Sequence, residues 1–168
     1  MPSLLRLLKH RWHDAGDARR ALGPGAVERI AERVRASERA HSGEIRVCVE
    51  AGLPLSYLWR DADVRERALT LFGKLRVWDT EHNNGVLIYL LLAEHRIEIV
   101  ADRGITALAS DGHWQTLVAG MSASFKAGRF EEGLNAAIDA VGELMTAHYP
   151  LAAGARDDNE LPDAPVIV

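Results

Sequence analysis

The fold is decided by residues 84–104, which read NGVLIYLLLAEHRIEIVADRG. Residues 86–92 are apolar at every position except Tyr89, and a strand of this kind is buried on both faces of its sheet. Helices must therefore cover the sheet on both sides. After a short turn, residues 96–99 alternate between charged side chains and isoleucine, which predicts a half-exposed antiparallel partner strand over residues 96–101.

A second strand pattern lies upstream, where residues 44–50 alternate between charged and apolar side chains. Between the two patterns, residues 61–75 place one apolar face on a helix, with Val64, Ala68, Leu71, Phe72 and Leu75. A strand–helix–strand unit is a right-handed crossover, so its two strands run parallel. Further helices are predicted over residues 24–40 and after Gly104. The fold class is therefore α/β, a three-layer α/β/α sandwich with a small mixed sheet.

The chain divides into three parts: an amphipathic arm at residues 1–23, a globular domain at 24–149 and an acidic extended tail at 150–168. The arm begins with a short helix whose apolar residues, at helical spacing, are Leu4, Leu5, Leu8 and Trp12. This helix either docks on the domain or lies on a membrane surface. The tail is either a solvated arm or folds over the domain, because its last three residues are apolar.

Composition excludes several classes of protein. The net charge is −4 and the basic residues form no stripe, which argues against a nucleic-acid partner. The opening residues interleave leucine with Arg and Lys and so lack the apolar core of a signal peptide. The longest apolar run, at 86–93, is far shorter than the roughly 20 residues of a transmembrane helix. We therefore expect a cytoplasmic protein with no transmembrane segment, peripheral to a membrane if the first helix binds one.

Four side chains are predicted to lie in the core or at its edge. Cys48 is the only cysteine and stands in a strand pattern, so it forms no intramolecular disulfide and is expected to be buried. Trp78, Trp114 and Phe125 are also expected to be core residues.

Several motifs lie in and around these elements: Ser42-Gly43-Glu44-Ile45, Arg67-Ala68, Leu71-Phe72, Val77-Trp78-Asp79-Thr80, Asn83-Asn84-Gly85-Val86-Leu87, the run from Ile99 to Ile105, Trp114, Phe130 and Gly133. Together they resemble the TPM domain over about residues 25–149. The end of the chain, Asn159-Glu160-Leu161-Pro162-Asp163, is similar to a short bacterial subgroup of that family. The resemblance implies the same α/β/α sandwich.

The function that the resemblance implies is divided. Some relatives are described as acid phosphatases, some bind calcium or similar ions, and others serve the assembly or maintenance of membrane complexes. Many larger members carry a secretion signal and a membrane anchor, and neither is recognised in this sequence.

Topology brings three polar segments to one rim of the sheet. If the first two strands are parallel, Glu44 and Asn84 enter the sheet at one edge, and Asp102 leaves the third strand there. Hard cations such as Ca²⁺ and Mg²⁺ prefer oxygen ligands. The candidate metal ligands on this rim are Asp79, Glu81, Asn83, Asn84 and Asp102. The alternative is that these residues form the turn into the second strand and, for Asp102, the cap of the next helix.

Catalytic candidates are few. No Gly-rich phosphate cradle, Asp-x-Asp pair or Cys-x5-Arg loop is present. A metal-bound water could act as nucleophile at Asp102, with Arg103 or His41 holding a phosphoryl group. The sequence is thus best interpreted as a non-enzymatic binding or accessory module. Such a module would have a protein partner such as a membrane-complex component, with Ca²⁺ or Mg²⁺ at the rim and no organic cofactor. The alternative is a weak metal-assisted acid phosphatase.

Overall fold

The computed structural model describes residues 3–168, the side chain of residue 111 excepted. Its elements, in chain order, are α1 (Leu4–Arg11), α2 (Ala15–Leu22), α3 (Ala26–Glu38), β1 (Glu44–Glu50), α4 (Leu55–Trp59), α5 (Val64–Lys74), β2 (Gly85–Leu91), β3 (Arg96–Ala101), α6 (Arg103–Thr106), α7 (Asp111–Lys126), α8 (Phe130–His148) and β4 (Val166–Ile167). A single 3₁₀ turn, Leu92–Glu94, joins β2 to β3.

The sheet has the strand order β3-β2-β1-β4. Strands β1 and β2 are parallel, with Glu44 opposite Gly85, and β3 runs antiparallel to β2, with Ala101 opposite Val86. Every residue of β2 is buried, as its apolar run predicts. The mixed sheet and the parallel crossover are therefore confirmed.

Alternate residues of each strand face two separate cores. Ile45 and Val47 of β1 and Ile88 of β2 belong to the larger core, which α2, α3, α7 and α8 cover. Cys48 and Tyr89 point to the smaller core, which α5 covers. Helices thus lie on both faces of the sheet, and the three-layer sandwich is confirmed.

Three core predictions hold and one is wrong. Cys48 is fully buried, and burial raises the pKa of its thiol to about 12, which leaves it unreactive. Trp114 and Phe125 lie in the larger core. Trp78, however, is 49% exposed, because its indole folds back along the surface and Nε1 donates to the Gly73 carbonyl at 3.3 Å.

Two short helices were not predicted as separate elements from the sequence pattern. Within the predicted arm, residues 15–22 form α2, whose capping box pairs Asp14 with Asp17 and whose Ala18 and Leu22 are buried in the larger core. Residues 55–59 form α4, which follows Pro54. No helix within residues 3–168 is both long and apolar enough to cross a bilayer.

The tail folds over the domain. Val166 and Ile167 form β4, which extends β1 in parallel, and the N–H of Ala51 donates to the Val168 carbonyl at 2.8 Å. Leu161 is buried in the smaller core. The apolar end of the chain thus covers an edge of the sheet that would otherwise expose unpaired backbone groups.

Candidate functional site

The polar rim forms where the sequence places it. Glu44 and Gly85 begin the two parallel strands side by side, and the Asp102 N–H, just beyond β3, donates to the Gly85 carbonyl at 2.9 Å. The Asn84 carbonyl accepts from the Glu44 N–H at 3.3 Å. Three separate segments therefore converge on one edge of the sheet.

Asn84 is fully buried and ties two of these segments together. Its Nδ2 donates to the Ser42 carbonyl at 3.1 Å, and its N–H donates to Thr80 Oγ1 at 3.1 Å. Its Oδ1, in contrast, is buried and has no hydrogen-bond partner within the described part of the chain. The side chain is fixed by its amide nitrogen, and one acceptor oxygen is left over.

Asp102 has a similar imbalance. Its Oδ1 caps α6 by accepting from the Arg103 N–H at 2.7 Å, as the sequence predicts for a helix start. Its Oδ2 is buried without a partner, and the residue is only 8% exposed. An unsatisfied buried oxygen of this kind calls for an explanation such as a water molecule or an ion. The rim carries two of them on neighbouring strand ends.

The other metal candidates lie outside this centre. Asp79, Glu81 and Asn83 are exposed. Asp79 pairs with Arg76 at 2.5 Å, and Asn83 takes a left-handed backbone conformation with φ 51° as part of the turn into β2. Among the side chains that the structure describes, no group of three His, Cys, Asp or Glu is arranged to hold a metal ion. The rim thus brings together Asn84 and Asp102 but not the full set.

His41 and Arg103 differ in whether their side chains could contact a ligand. The buried His41 ring uses both nitrogens, Nδ1 against the Gly43 carbonyl and Nε2 against Ser37 Oγ, each at 3.0 Å. Burial lowers the pKa of His41, so the ring is neutral and held in place. Arg103 is exposed, and its guanidinium has no partner among the described residues.

The tail supplies a layer that the sequence pattern does not reveal. The Glu44 carboxylate accepts from the backbone N–H groups of Glu160 and Leu161 at 3.1 and 3.0 Å. Arg46 donates to the Pro162 carbonyl at 2.6 Å. Burial raises the pKa of Glu44 to about 7. Only the apolar end of the chain hinted at this docking, since nothing in the spacing couples residues more than one hundred positions apart.

Glu38 lies beside this layer at the end of α3. Its Oε1 accepts from the Ile45 N–H at 2.8 Å, and the carboxylates of Glu44 and Asp163 lie near it. Burial, with Glu44 and Asp163 nearby, raises the pKa of Glu38 to about 9. The group is therefore protonated at neutral pH.

A buried ion pair occupies the carboxyl end of β1, away from the rim. Arg67 of α5 donates from Nε and Nη2 to the Glu50 carboxylate at 2.9 and 2.6 Å. The Tyr89 hydroxyl donates to the same carboxylate at 2.6 Å. Burial raises the pKa of Tyr89, which keeps the hydroxyl protonated. Because every group is paired, this cluster presents no open position to a ligand.

The comparisons with known proteins agree with the fold. The family model of the TPM domain matches residues 16–144. The BA42 protein of the psychrophilic bacterium Bizionia argentinensis is 31% identical, with a TM-score of 0.71 over 84% of this chain and 91% of that one. The N-terminal domain of a P. gingivalis protein is 23% identical, with a TM-score of 0.63 over 81% of each chain, and shares the fold. The search of curated proteins finds no match. The family model and the BA42 structure together establish that this chain belongs to the TPM domain family.

Proposed function

We propose that this chain is a non-enzymatic accessory module that binds a divalent cation at the rim through Asn84 Oδ1 and Asp102 Oδ2. The observation that supports the proposal is the pair of buried oxygens without hydrogen-bond partners on adjoining strand ends. Leaving such a group unsatisfied costs about 1–3 kcal/mol. A cation coordinated by both oxygens would recover that free energy.

The donor set favours a hard cation. Amide and carboxylate oxygens suit Ca²⁺ and Mg²⁺, and Ca²⁺ tolerates the more irregular geometry. Of the two ligands, Asp102 supplies a carboxylate and Asn84 a neutral amide oxygen. Backbone carbonyls and water would fill the remaining coordination positions, and the affinity for the cation would be modest. No organic cofactor is part of the proposal.

The accessory role assigns the recognition of a partner to the outer face of the rim. The loop carrying Asp79, Glu81 and Asn83 is exposed beside the two buried ligands, and Arg103 pairs with no residue that the structure describes. A bound cation would stiffen this loop and present it to a partner protein, such as a component of a membrane complex. A cytoplasmic location is part of the same proposal.

Substitution of Asp102→Asn is expected to weaken Ca²⁺ binding at least about tenfold, since it removes the only buried negative charge of the site. The measurement is a titration of metal-free protein with Ca²⁺, Mg²⁺ and Mn²⁺, followed by amide NMR. Shifts should be confined to residues 79–85 and 102–104. Asp79→Asn is the matched control, because Asp79 is exposed and paired with Arg76, and its affinity should stay within about twofold. The absence of saturable shifts up to millimolar ion would reject the site.

A weak metal-assisted phosphatase is the second candidate, and the unpaired Arg103 beside Asp102 is the observation that favours it. An exposed guanidinium can hold a phosphoryl group near a metal-bound water. The accessory proposal predicts no turnover of p-nitrophenyl phosphate above that of Asp102→Asn in the presence of Mg²⁺ or Ca²⁺. Turnover that both Asp102→Asn and Arg103→Ala abolish, and that Asp79→Asn retains, would replace the accessory role with catalysis.

A further inference from the structure

Helix α1 docks on the domain through its polar side. Arg6 donates to the Glu94 and Asp61 carboxylates at 2.8 and 2.7 Å, and to the Ala62 carbonyl at 2.9 Å. The His10 side chain is fully buried, with Nε2 3.0 Å from Glu94, and accepts at Nδ1 from the Leu53 N–H at 2.9 Å. The contacts that hold this helix therefore include ion pairs and hydrogen bonds, and Leu7 adds an apolar contact to the smaller core.

The opposite side of α1 is apolar and faces solvent. Leu4, Leu5 and Trp12 are 73, 79 and 79% exposed, and Leu8 is 47% exposed. At about 100° of rotation per residue, these four side chains fall within an arc of about 100°, and Arg6 and His10 lie on the far side. A surface helix ordinarily turns its apolar stripe to the core. Here the orientation is reversed, which leaves a large apolar stripe unburied.

Basic side chains border this stripe on both sides. On the same helical wheel, Lys9 lies beyond one edge of the arc and Arg11 beyond the other. Both are exposed, and neither has an ion-pair partner among the described residues. Leucine and tryptophan on one face with flanking Lys and Arg is the composition of a helix that lies in a membrane interface. The cations match the negative surface of anionic lipids.

A second element with exposed apolar side chains, α4, is flanked in the chain by residues that contact α1. Leu55 and Trp59 of α4 are 62 and 70% exposed. They belong to the segment between Leu53 and Asp61, and those two residues are among the contacts of α1. Large exposed apolar patches on soluble domains mark sites of interaction with proteins or membranes. Tryptophan is moreover enriched at the level of lipid headgroups.

We propose that the outward face of α1, with α4 beside it, is a docking surface for an anionic lipid bilayer. The helix lies flat on the membrane, with Leu4, Leu5, Leu8 and Trp12 in the interface and Lys9 and Arg11 against lipid phosphates. Arg6 and His10 hold the helix to the domain, so the domain is held at the bilayer with it. The docking surface and the rim cation are independent of each other.

The test is co-sedimentation of the full chain with vesicles of equal parts phosphatidylglycerol and phosphatidylcholine, compared with phosphatidylcholine alone. EDTA is present throughout, so that the result does not depend on the rim. We expect binding to the anionic vesicles and binding at least about tenfold weaker to the neutral ones, because each basic residue near the surface contributes to the attraction. Equal binding to both vesicles, or none to either, would overturn the proposal.

Variants identify the surface. Leu8→Glu and the pair Lys9→Glu with Arg11→Glu should each reduce binding to anionic vesicles at least about tenfold, by removing apolar burial or charge attraction. Leu69→Glu is the matched control, since Leu69 of α5 is 51% exposed on another helix and binding should be unchanged. Thermal unfolding of each variant confirms that the fold is retained. A Leu69→Glu effect as large as that of Leu8→Glu would contradict the assignment.

Tryptophan emission provides an independent readout. Anionic vesicles should shift the emission to the blue, and Trp12→Phe with Trp59→Phe should remove most of that shift, because both side chains are exposed on the proposed surface. A blue shift that persists in this double variant would place another surface at the membrane. If the lipid-free chain instead dimerises in sedimentation velocity and Leu8→Glu makes it monomeric, a second copy is the occupant and the lipid proposal fails.

Discussion

Arg67→Met should destabilise the protein by about 3–5 kcal/mol, because it leaves the buried Glu50 carboxylate without its counter-charge. Glu50 is 3% exposed and Arg67 is 8% exposed, so water cannot replace the lost partner. Methionine fills most of the volume of the arginine stem, and the loss therefore reports on charge rather than on packing.

Urea denaturation at pH 7 measures the change in the free energy of unfolding. Arg60→Met is the control, because Arg60 is an exposed arginine that pairs with Glu66 and lies 4.8 Å from the same Tyr57 ring that Arg67 approaches at 5.1 Å. We expect that variant to lose less than about 1 kcal/mol. Similar losses in both variants would mean that Glu50 is solvated or has another partner.

A double substitution tests whether the loss comes from leaving one charge of the Glu50–Arg67 ion pair unpaired. Glu50→Gln with Arg67→Met removes both charges, and it should be more stable than Arg67→Met alone, since breaking a buried pair costs more than replacing it. The Tyr89 hydroxyl can still donate a hydrogen bond to the side-chain oxygen of the glutamine. A double variant no more stable than the single one would show that Glu50 is not held by Arg67.

The strands could be predicted because the order of apolar and charged side chains along each strand indicates how far it is buried. The continuous apolar run of β2 required a second helical layer, and the alternating charged residues of β3 marked a partly exposed partner. Both inferences use local side chains only. The crossover rule then supplied the parallel pairing and, with it, the convergence of Asn84 and Asp102 on one rim.

The orientation of α1 could not be predicted in the same way. Periodicity shows that Leu4, Leu5, Leu8 and Trp12 share a face, but not which face the domain binds. That choice depends on Arg6 and His10, whose partners lie more than forty residues away in the chain. The structure docks the helix on the domain, the first of the two alternatives, and the contacts come from its polar side.

The rim shows the same limit at the level of single residues. A turn at residues 79–83 was the alternative to a metal-ligand role, and whether a turn residue points inward depends on backbone angles that composition does not specify. Thr80 is buried and receives the Asn84 N–H, whereas Asp79 pairs outward with Arg76. The docking of the tail on Glu44 was equally hidden, because it joins residues 116 and 117 positions apart.

The free energy of unfolding should fall as the pH rises from about 7 to about 9. Below that range, burial of His10 and His41 lowers the pKa of each ring and has the opposite effect on stability. Glu38 has its pKa raised from 4.5 to about 9 in the folded protein, chiefly by burial, and Glu44 has its pKa raised to about 7. Between those values the native state binds protons that the unfolded chain has lost, so its stability decreases with pH. The stabilisation is complete below pH 4.5 and is lost above about 9.

Glu38→Gln should remove most of this dependence. Glutamine is uncharged at every pH, and its oxygen can still accept from the Ile45 N–H. The variant should match the wild type near pH 5 and exceed its stability near pH 9 by on the order of 4 kcal/mol. Glu32→Gln is the control, since Glu32 is an exposed residue of the same helix that pairs with Arg35 and Arg39, and its pH profile should follow the wild type.

The stability lost at high pH is limited by the free energy that holds the tail on the domain. Ionised Glu38 would face Glu44 and Asp163, with Arg35 the cation that contacts Asp163, at 3.1 Å. If separating the tail from the domain costs less than this repulsion, the tail opens while the sheet stays folded. Amide exchange should then accelerate above pH 8 at Leu161 and Val168, beyond the intrinsic increase seen at Ile88. Glu38→Gln should restore protection at both tail positions. Uniform acceleration at all three residues would show that the tail and the sheet unfold together.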